Sequence, residues 1–379
     1  MATSPKRPKF LHEILDDSTG ETTFDHMPDE VQLKIFKTLE IKDLIRCAQV
    51  SKRTRRICHD ESMWKKVNLY EKVVPSEFIE MILENGCKYL NLKSSVIVGS
   101  LNLSRNDYDV RYLNLSQCHA NEGVLEKLIS SCKSLQKLSL DRLSLNSHAM
   151  DSCKFQQLQT LDLHSFRGLD LELMKNILSF KTLTEVSFRN HPNKYNSDWL
   201  IQYFVENLSS DVEKVSLGGM TSLKDKHVKI LVERCKKIKE LELCGCRNIT
   251  DDSLTSIVEH SDQMVKLDIS KTNIGFALSW DDRFGALVKL PVQGRNPFEK
   301  VKSMPKLKVF NCQHPGRSKQ DIANLRKSMP QIIINQGVYG GDLDIANPNE
   351  SIKPEDGVWD IFVKRIELFP LAHYLVNHL

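Results

Sequence analysis

Residue types that carry catalysis are present in this chain, but they do not occur at the spacings that such chemistry requires. The twelve histidines are scattered along the sequence, and none belongs to a His-x-x-x-His frame. Two glycine pairs lack the Lys-Ser/Thr or the third glycine of a phosphate-binding loop, and two aspartate pairs are typical of solvated turns. We therefore expect no catalytic site and no enzymatic activity. The pairs are Gly218-Gly219, Gly340-Gly341, Asp251-Asp252 and Asp281-Asp282.

The cysteines raise the question of a metal site, because Cys244 and Cys246 have the spacing of half a zinc site. A structural zinc needs two further ligands, and no second pair at ligand spacing occurs in the sequence. Since the N-terminus does not resemble an export signal, the ten cysteines are expected to remain reduced thiols. We expect neither a bound metal nor a cofactor.

The composition excludes several classes of protein. Of the 379 residues, 40% are hydrophobic and 27% are charged, so the chain is neither disordered overall nor embedded in a membrane. No apolar run approaches the roughly 18 residues of a membrane-spanning helix. The net charge of +4 is too weak to indicate nucleic-acid binding. We therefore expect no nucleic acid and no membrane among the partners.

A repeated apolar pattern predicts the strands and helices that must position any functional side chain. The pattern apolar-x-x-apolar-x-apolar occurs seven times in succession, with starts 23 to 29 residues apart, which is the period of leucine-rich repeats. Apolar residues at helical spacing lie between the motifs, so each unit is predicted to be a short strand followed by a helix. Stacking of about ten such units produces a curved α/β solenoid. The motifs start at Val110, Leu135, Leu158, Leu183, Val212, Ile238 and Met264.

The repeat becomes irregular after the last of these motifs. The next clear match begins at Leu307, and a degenerate unit around Leu287–Leu290 is expected to fill the gap. A helical segment from Pro297 is expected to follow, and a last strand is predicted at Ile332–Ile334.

The predicted concave face of the solenoid is the candidate substrate surface. In each strand the leucines point inward, and the residues between them line the sheet. Four basic residues of this face could gather into a spot for a phosphorylated peptide, whereas an ordinary charged surface of mixed sign is the alternative. The residues predicted to contact substrate are Tyr112, Arg142, His164, Arg189 and Lys214 on the repeats, and Trp359 in the C-terminal segment.

Residues 24–69 form a separate helical segment with more apolar side chains than about 45 residues can bury by themselves. Val31, Ile35, Phe36 and Leu39 are spaced as one apolar stripe of a helix. Physical reasoning leaves two interpretations open. The segment is either a cap that covers the first repeat or a module that binds a partner.

Several short blocks of this segment occur in the order of a known motif: Met27-Pro28-Asp29-Glu30, Ile35-Phe36, Val50-Ser51-Lys52-Arg53 and Asp60-Glu61-Ser62-Met63-Trp64. Together they resemble an F-box, although Met27 stands where leucine is common and Thr54 where an aromatic residue is frequent. The resemblance implies a three-helix module that binds an S-phase kinase-associated adaptor, which joins it to a cullin scaffold carrying a RING subunit. The adaptor-binding residues that it implies are Met27, Pro28, Val31, Ile35, Phe36, Leu39, Leu44, Val50 and Trp64.

The order of F-box, repeats and C-terminal extension is similar to that of F-box/leucine-rich-repeat proteins of the S-phase kinase-associated protein 2 type. This resemblance implies a non-catalytic substrate receptor of an SCF-type ubiquitin ligase, whose repeats and tail bind a protein substrate for ubiquitination and proteasomal degradation. It also implies a role in the cell cycle, a place in nucleus and cytoplasm, and a small cyclin-kinase-subunit protein that shares substrate recognition. The alternative is a leucine-rich-repeat scaffold with no link to ubiquitin.

The expected organisation therefore has four parts. A flexible tail at 1–23 precedes the F-box at 24–69, and the repeats at 70–335 precede a C-terminal tail at 336–379. The acidic residues of this last tail, together with Trp359 and Phe362, favour its packing back on the concave face, because exposure of both aromatic side chains is costly.

Overall fold

The computed structural model describes residues 24–145, 155–167, 170–189, 197–281, 286–291, 296–314 and 317–335. The chain divides into two compact units, Met1–Met63 and Trp64–Leu379. The boundary predicted from the sequence lies a few residues further on, between 69 and 70. The tails predicted at 1–23 and 336–379, including the packing of the C-terminal tail, lie outside the described residues.

Three short helices make up the described part of the first unit: α1 (Asp29–Phe36), α2 (Ile41–Ala48) and α3 (Lys52–Cys58). A 3-10 turn at Phe24–His26 precedes them, and α4 (Glu61–Trp64) crosses the boundary to the second unit. The three-helix prediction is confirmed. The buried apolar side chains of these helices are Phe36, Leu44, Ile45, Ala48, Ile57 and Cys58.

Thr54, one of the two departures from the usual F-box pattern, has a local structural role. The Ser51 hydroxyl accepts a hydrogen bond from the Thr54 backbone N–H at 3.1 Å, and the Thr54 hydroxyl accepts one from the Ser51 N–H at 3.0 Å. This reciprocal capping box starts α3 and satisfies two backbone donors of its first turn. Thr54 is itself buried, so a small hydroxyl side chain suits this position.

The second unit is built on a parallel sheet, which has eleven strands within the described residues. Each of the seven predicted motifs coincides with a strand, and the central apolar residue of each strand is buried, as predicted. Neighbouring strands pair in register, for example Leu113 opposite Leu138. In spatial order the strands are β1 (Lys66–Asn68), β3 (Tyr89–Asn91), β5 (Tyr112–Asn114), β6 (Lys137–Ser139), β7 (Thr160–Asp162), β8 (Glu185–Ser187), β9 (Lys214–Ser216), β10 (Glu240–Glu242), β11 (Lys266–Asp268), β14 (Val309–Asn311) and β15 (Ile333–Ile334).

Helices lie between most neighbouring strands of this sheet, so the α/β repeat architecture is confirmed. A separate parallel pair, β2 (Val73–Pro75) and β4 (Val96–Val98), accompanies the first repeats. Among the described helices, none combines the length and the apolarity needed to span a membrane. The helices of this unit are α5 (Ser76–Glu84), α6 (Glu122–Ser130), α7 (Leu171–Leu178), α8 (Asp198–Asn207), α9 (Asp225–Arg234), α10 (Asp251–His260) and α11 (Lys319–Ser328), with a 3-10 helix at Pro297–Ser303.

The segment after β11 contains a β-hairpin, and the prediction of a degenerate repeat there is wrong. Strands β12 (Phe276–Asp281) and β13 (Ala286–Pro291) pair with each other in antiparallel fashion. Strand β11 pairs directly with β14, so the hairpin is an insertion between two neighbouring strands of the main sheet. Two strands joined by a short connection pair locally, which needs no repeat helix to complete a unit. The predicted helical segment from Pro297 is confirmed as the 3-10 helix, and the predicted last strand as β15.

Candidate partner-binding surfaces

The first unit carries exposed apolar side chains at the start of its first helix. Val31 and Ile35 on α1 are 41% and 39% exposed, and Val50 after α2 is 76% exposed. Because Val31 and Ile35 are four positions apart, they lie on the same side of the helix. We refer to these two residues and the exposed Pro28 as the α1 surface. Apolar groups exposed close together mark a site of partner binding, so this part of the predicted adaptor face is available.

Three other residues of the predicted adaptor face are buried within the chain. Phe36 and Leu44 lie in the core of the first unit. The Trp64 side chain is 2% exposed in the second unit, where its ring meets the ring of Phe78 edge to face at 6.1 Å. These side chains stabilise the chain itself, and their direct contact with an adaptor stays a prediction. The two remaining predicted residues, Met27 and Leu39, are half-buried.

An ion-pair cluster holds the beginning of α1 against α3. Arg53 Nε donates to Asp29 Oδ1 at 2.9 Å, and Arg56 Nη2 donates to Asp29 Oδ2 at 2.5 Å. A second arm of Arg53 donates to the Met27 carbonyl oxygen at 2.6 Å. These bonds hold Met27 and the first residue of α1 against α3.

Replacing Arg53 by glutamine is expected to raise the pKa of Asp29. The Arg53 hydrogen bond is the main influence that holds the pKa of Asp29 below 3.8, and Arg56 acts in the same direction. Because the folded-state pKa is lowered, the carboxylate stabilises the folded unit above pH 3.8, and this stabilisation is lost as the pH falls through the folded value. An NMR titration of the Asp29 carboxyl carbon measures the shift. Lys52→Gln on the same helix is the matched control. If Arg53→Gln leaves the pKa of Asp29 unchanged, the role assigned to Arg53 is contradicted.

The residues predicted from the repeats lie along one face of the parallel sheet in the second unit. We call this the open sheet face, formed by the first and third positions of each strand and the residues that directly follow. Tyr112 and Lys214 hold the first positions of β5 and β9. Arg142, His164 and Arg189 lie shortly after β6, β7 and β8. The structure therefore places all five on the same face.

Arg189 forms an ion pair with Glu242, and one strand of the sheet lies between the two residues. Its Nη1 lies 3.0 Å from Oε1 and 3.3 Å from Oε2 of Glu242, two strands away in the sheet. Gly218 occupies the position between them, where an added Cβ would meet Glu242 Oε1 at 3.1 Å and Arg189 Cδ at 3.6 Å. The Ser216 hydroxyl also donates to Glu242, at 2.6 Å. Since Arg189 is buried and paired, the structure does not present it to a phosphate.

Lys214, the next basic residue of the predicted spot, lies between two carboxylates. Its Nζ is 3.5 Å from Glu185 Oε1 and 3.6 Å from Glu240 Oε1. All three residues hold the first position of neighbouring strands, so the alternation of charge follows directly from the register. The acidic neighbours offset the lysine charge at this part of the face.

Asp141 lies close to the two remaining basic residues, Arg142 and His164. Its Oδ1 lies 3.3 Å from His164 Nδ1 and 3.7 Å from Arg142 Nε. Burial and the nearby Arg189 guanidinium lower the pKa of His164, which favours the neutral imidazole. Each of the four basic residues thus lies near a carboxylate. They belong to a surface of mixed sign, which is the alternative that the sequence left open.

Replacing Glu242 by alanine is expected to lower the free energy of unfolding by about 3 kcal/mol, because a buried charge then loses its ionic partner. Adding Arg189→Met is expected to recover much of this loss, since an apolar side chain then replaces the buried charge. Urea denaturation of the full chain measures both effects. The matched control is Glu240→Ala on the same strand, whose 39% exposed side chain predicts a loss below about 1 kcal/mol. Equal losses for Glu242→Ala and Glu240→Ala contradict this role of the pair.

The first strands also carry a row of aromatic and basic side chains, of which only Tyr112 was predicted from the sequence. The rings of Tyr89 and Tyr112 stack with centroids 4.5 Å apart and planes 22° apart. Lys66 and Lys137 flank them, each with Nζ 5.5 Å from the centroid of the adjacent ring. We call these four residues the tyrosine row. The sequence feature that indicates this row is the repeated tripeptide Tyr-Leu-Asn, which places both tyrosines at the same position of their strands.

The cysteine pair considered as half a metal site has a structural position. Cys246 is fully buried, and its Sγ donates to the Leu217 carbonyl oxygen at 3.1 Å. Burial raises the pKa of Cys246 to about 12 and that of Cys244 to about 11. Across the described ranges, no group of three or more His, Cys, Asp or Glu residues is arranged to hold a metal ion. Trp359, the last predicted substrate residue, lies outside the described residues.

Comparisons with known proteins agree with this architecture. Residues 24–70 match the F-box-like family, and residues 77–273, just over half of the chain, match the SKP2 LRR domain. F-box/LRR-repeat protein 4 of Bos taurus is 26% identical over 281 residues, covering 69% of this chain. The chain spans only 40% of the length of that relative.

In two further matches, the aligned region covers nearly all of the matched protein. F-box/LRR-repeat protein 12 of Homo sapiens is 23% identical over 333 residues, covering 82% of this chain and 95% of that protein. An internalin from Listeria monocytogenes aligns over 84% of this chain and 100% of its own, with a TM-score of 0.38 and 12% sequence identity. The matched domains and their order confirm the resemblance drawn from the sequence. The chain therefore belongs to the F-box/leucine-rich-repeat proteins whose repeats are of the SKP2 type.

Proposed function

We propose that this chain is the substrate-recognition subunit of a ubiquitin ligase of the adaptor–cullin–F-box type. The observation that carries the proposal is the α1 surface, which exposes Val31 and Ile35 within the residues that match the F-box-like family. A monomeric helical unit gains nothing from such exposure, whereas a partner helix or groove can cover both side chains. The partner that we propose is an S-phase kinase-associated adaptor, with cullin and RING subunits bound through it.

The repeats supply the surface for a protein substrate in this proposal. The open sheet face presents tyrosine, lysine, asparagine and carboxylate side chains on a rigid scaffold, which suits recognition of a protein segment. The chain acts by proximity, because holding a substrate lysine near a thioester-bound ubiquitin raises its effective concentration. The bond-forming chemistry belongs to other subunits.

Several finer aspects of the proposal come from the family. Substrates would be directed to proteasomal degradation, in part in cell-cycle control, in the nucleus and the cytoplasm. A small cyclin-kinase-subunit protein would share recognition of some substrates. The basic residues first considered for phosphate each lie near a carboxylate, so we do not place a phosphate contact at Arg142, His164, Arg189 or Lys214.

Affinity purification from proteasome-inhibited cells tests the proposal. The intact chain is compared with Val31→Asp/Ile35→Asp, which alters the α1 surface and leaves the repeats unchanged. We expect adaptor and cullin with the intact chain only, and candidate substrates with both. If the intact chain captures proteins but neither adaptor nor cullin, the alternative of a repeat scaffold without a link to ubiquitin is favoured.

A further inference from the structure

The tyrosine row occupies a continuous line across four neighbouring strands of the open sheet face. The register places Lys66 of β1 opposite Tyr89 of β3, Tyr89 opposite Tyr112 of β5, and Tyr112 opposite Lys137 of β6. The two lysines therefore stand at the ends of the line, with the stacked rings between them. Tyr89, Tyr112 and Lys137 are half-buried and Lys66 is exposed, so the row lies at the surface.

This part of the face differs in charge from the rest of the sheet. Neither the first nor the third position of β1, β3, β5 or β6 is acidic, whereas β7, β8, β10 and β11 carry Asp162, Glu185, Glu240, Glu242 and Asp268 at these positions. At these positions the first four strands contribute Lys66 and Lys137 and no carboxylate, while Asp141, which follows β6, lies beside Arg142 and His164. Charge complementarity favours an anionic partner here.

The neighbouring asparagine ladder adds hydrogen-bond donors rather than acceptors. The side-chain oxygens of Asn68, Asn91 and Asn114 accept backbone N–H groups two residues further on, at 3.1, 3.1 and 2.9 Å. Asn91 Nδ2 donates to Asn68 Oδ1 at 3.0 Å, and the Nδ2 of buried Asn114 has no partner within the described part of the chain. Since the amide oxygens are already used and Asn114 is buried, the ladder offers a ligand the N–H groups of its exposed end, Asn68.

The spacing of the two lysines limits the shape of such a ligand. Strands of a sheet lie about 4.8 Å apart, so the three steps from β1 to β6 span about 14 Å. An extended peptide advances about 3.3 Å per residue, so this distance corresponds to about four residues. A partner segment with carboxylates four positions apart therefore matches both ends of the row.

We infer that the tyrosine row is a docking site for an extended acidic protein segment with Asp or Glu residues four positions apart. The inference rests on the proposed function, since it assigns a substrate class to the first four strands of the sheet face. Single-stranded nucleic acid fits less well, because base stacking requires an open ring face. Here each tyrosine ring is covered on one side by the other ring and approached by a lysine.

Fluorescence anisotropy with the full chain tests the inference. The probe is a labelled peptide, Gly-Glu-Val-Thr-Val-Glu-Gly, in which β-branched residues favour the extended form. We expect saturable binding that weakens with salt. We also expect a loss of tenfold or more when both glutamates become glutamine, and weaker binding when the two glutamates are adjacent. Lys66→Gln and Lys137→Gln are each expected to weaken binding about fivefold, whereas Lys266→Gln, at the same position of β11, leaves it unchanged.

Four outcomes overturn the inference. They are absence of binding, equal affinity for the glutamine peptide, binding unaffected by Lys66→Gln/Lys137→Gln, and preference for an oligothymidine over the peptide. A variant with the acidic residues of 342–360 replaced by their amides provides a further check. If peptide binds only to this variant, the chain's own C-terminal segment occupies the row instead of a partner. Adaptor capture, measured separately on the same preparations, reports on the proposed function independently of these outcomes.

Discussion

The double substitution Val31→Asp/Ile35→Asp is expected to weaken adaptor binding by a hundredfold or more while leaving the chain folded. Both side chains are exposed on one side of α1, so their replacement removes little from the core of the first unit. Exposed substitutions of this kind usually change the free energy of unfolding by less than about 0.5 kcal/mol. At an apolar interface the same two aspartates lose apolar contacts and become desolvated without a counter-charge, which explains the expected loss.

Biolayer interferometry with immobilised adaptor measures this effect directly. The matched control is Glu30→Gln, since Glu30 is also exposed on α1 but lies about 100° around the helix from Val31. The control is expected to bind within about threefold of the unaltered chain, the range of a single exposed charge. Retention of normal affinity by Val31→Asp/Ile35→Asp shows that the adaptor does not use the α1 surface. Circular dichroism of each variant separates a binding defect from loss of fold.

Replacing Trp64 by alanine is expected to lower the free energy of unfolding by about 3–5 kcal/mol, because it leaves a large cavity in the second unit. The indole is 2% exposed and contacts the buried Phe78 ring. Urea denaturation measures the loss. Trp199→Ala is the matched control, because this indole on α8 is 56% exposed and its removal is expected to cost less than about 1 kcal/mol.

The same variant distinguishes a structural tryptophan from an interface tryptophan. Under conditions where Trp64→Ala remains folded, its affinity for the adaptor is expected to fall far less than that of Val31→Asp/Ile35→Asp. A hundredfold loss of adaptor binding without loss of stability contradicts the structural role of Trp64. Comparison of Trp64→Ala with Val31→Asp/Ile35→Asp therefore decides whether Trp64 is a structural residue, as its burial indicates, or an adaptor contact, as the F-box resemblance implies.

Helical geometry explains why only part of the predicted adaptor face is exposed. The stripe Val31, Ile35, Phe36 and Leu39 contains residues that are close in sequence but spread around the helix. Each residue turns by about 100°, so Phe36 lies about 140° from Val31. Phe36 enters the core while Val31 stays at the surface. The spacing of apolar residues alone does not predict which of them stay exposed on a small helical module.

The repeat fold was more predictable than the charges on its surface. A three-residue strand with a buried central leucine or valine recurs at a regular period, so motif and strand coincide at β5 through β11. The pair between Arg189 and Glu242 depends on the absence of a side chain at Gly218, and the stack of Tyr89 on Tyr112 depends on register. Such contacts join residues from different repeats, and a linear pattern of residue types does not contain them. The hairpin at β12 and β13 was missed for the same reason, since its strands pair with each other and not with the array.

Reconstituted ubiquitin transfer tests the central proposal most directly. Purified adaptor, cullin and RING subunits, with activating and conjugating enzymes, are combined with a protein that the repeats capture, in the presence or absence of this chain. We predict that the captured protein is ubiquitinated only when the unaltered chain is present, and that Val31→Asp/Ile35→Asp abolishes the transfer without releasing the captured protein. Transfer that proceeds equally without the chain, or equally with the Val31→Asp/Ile35→Asp variant, would contradict a substrate receptor that docks through the α1 surface.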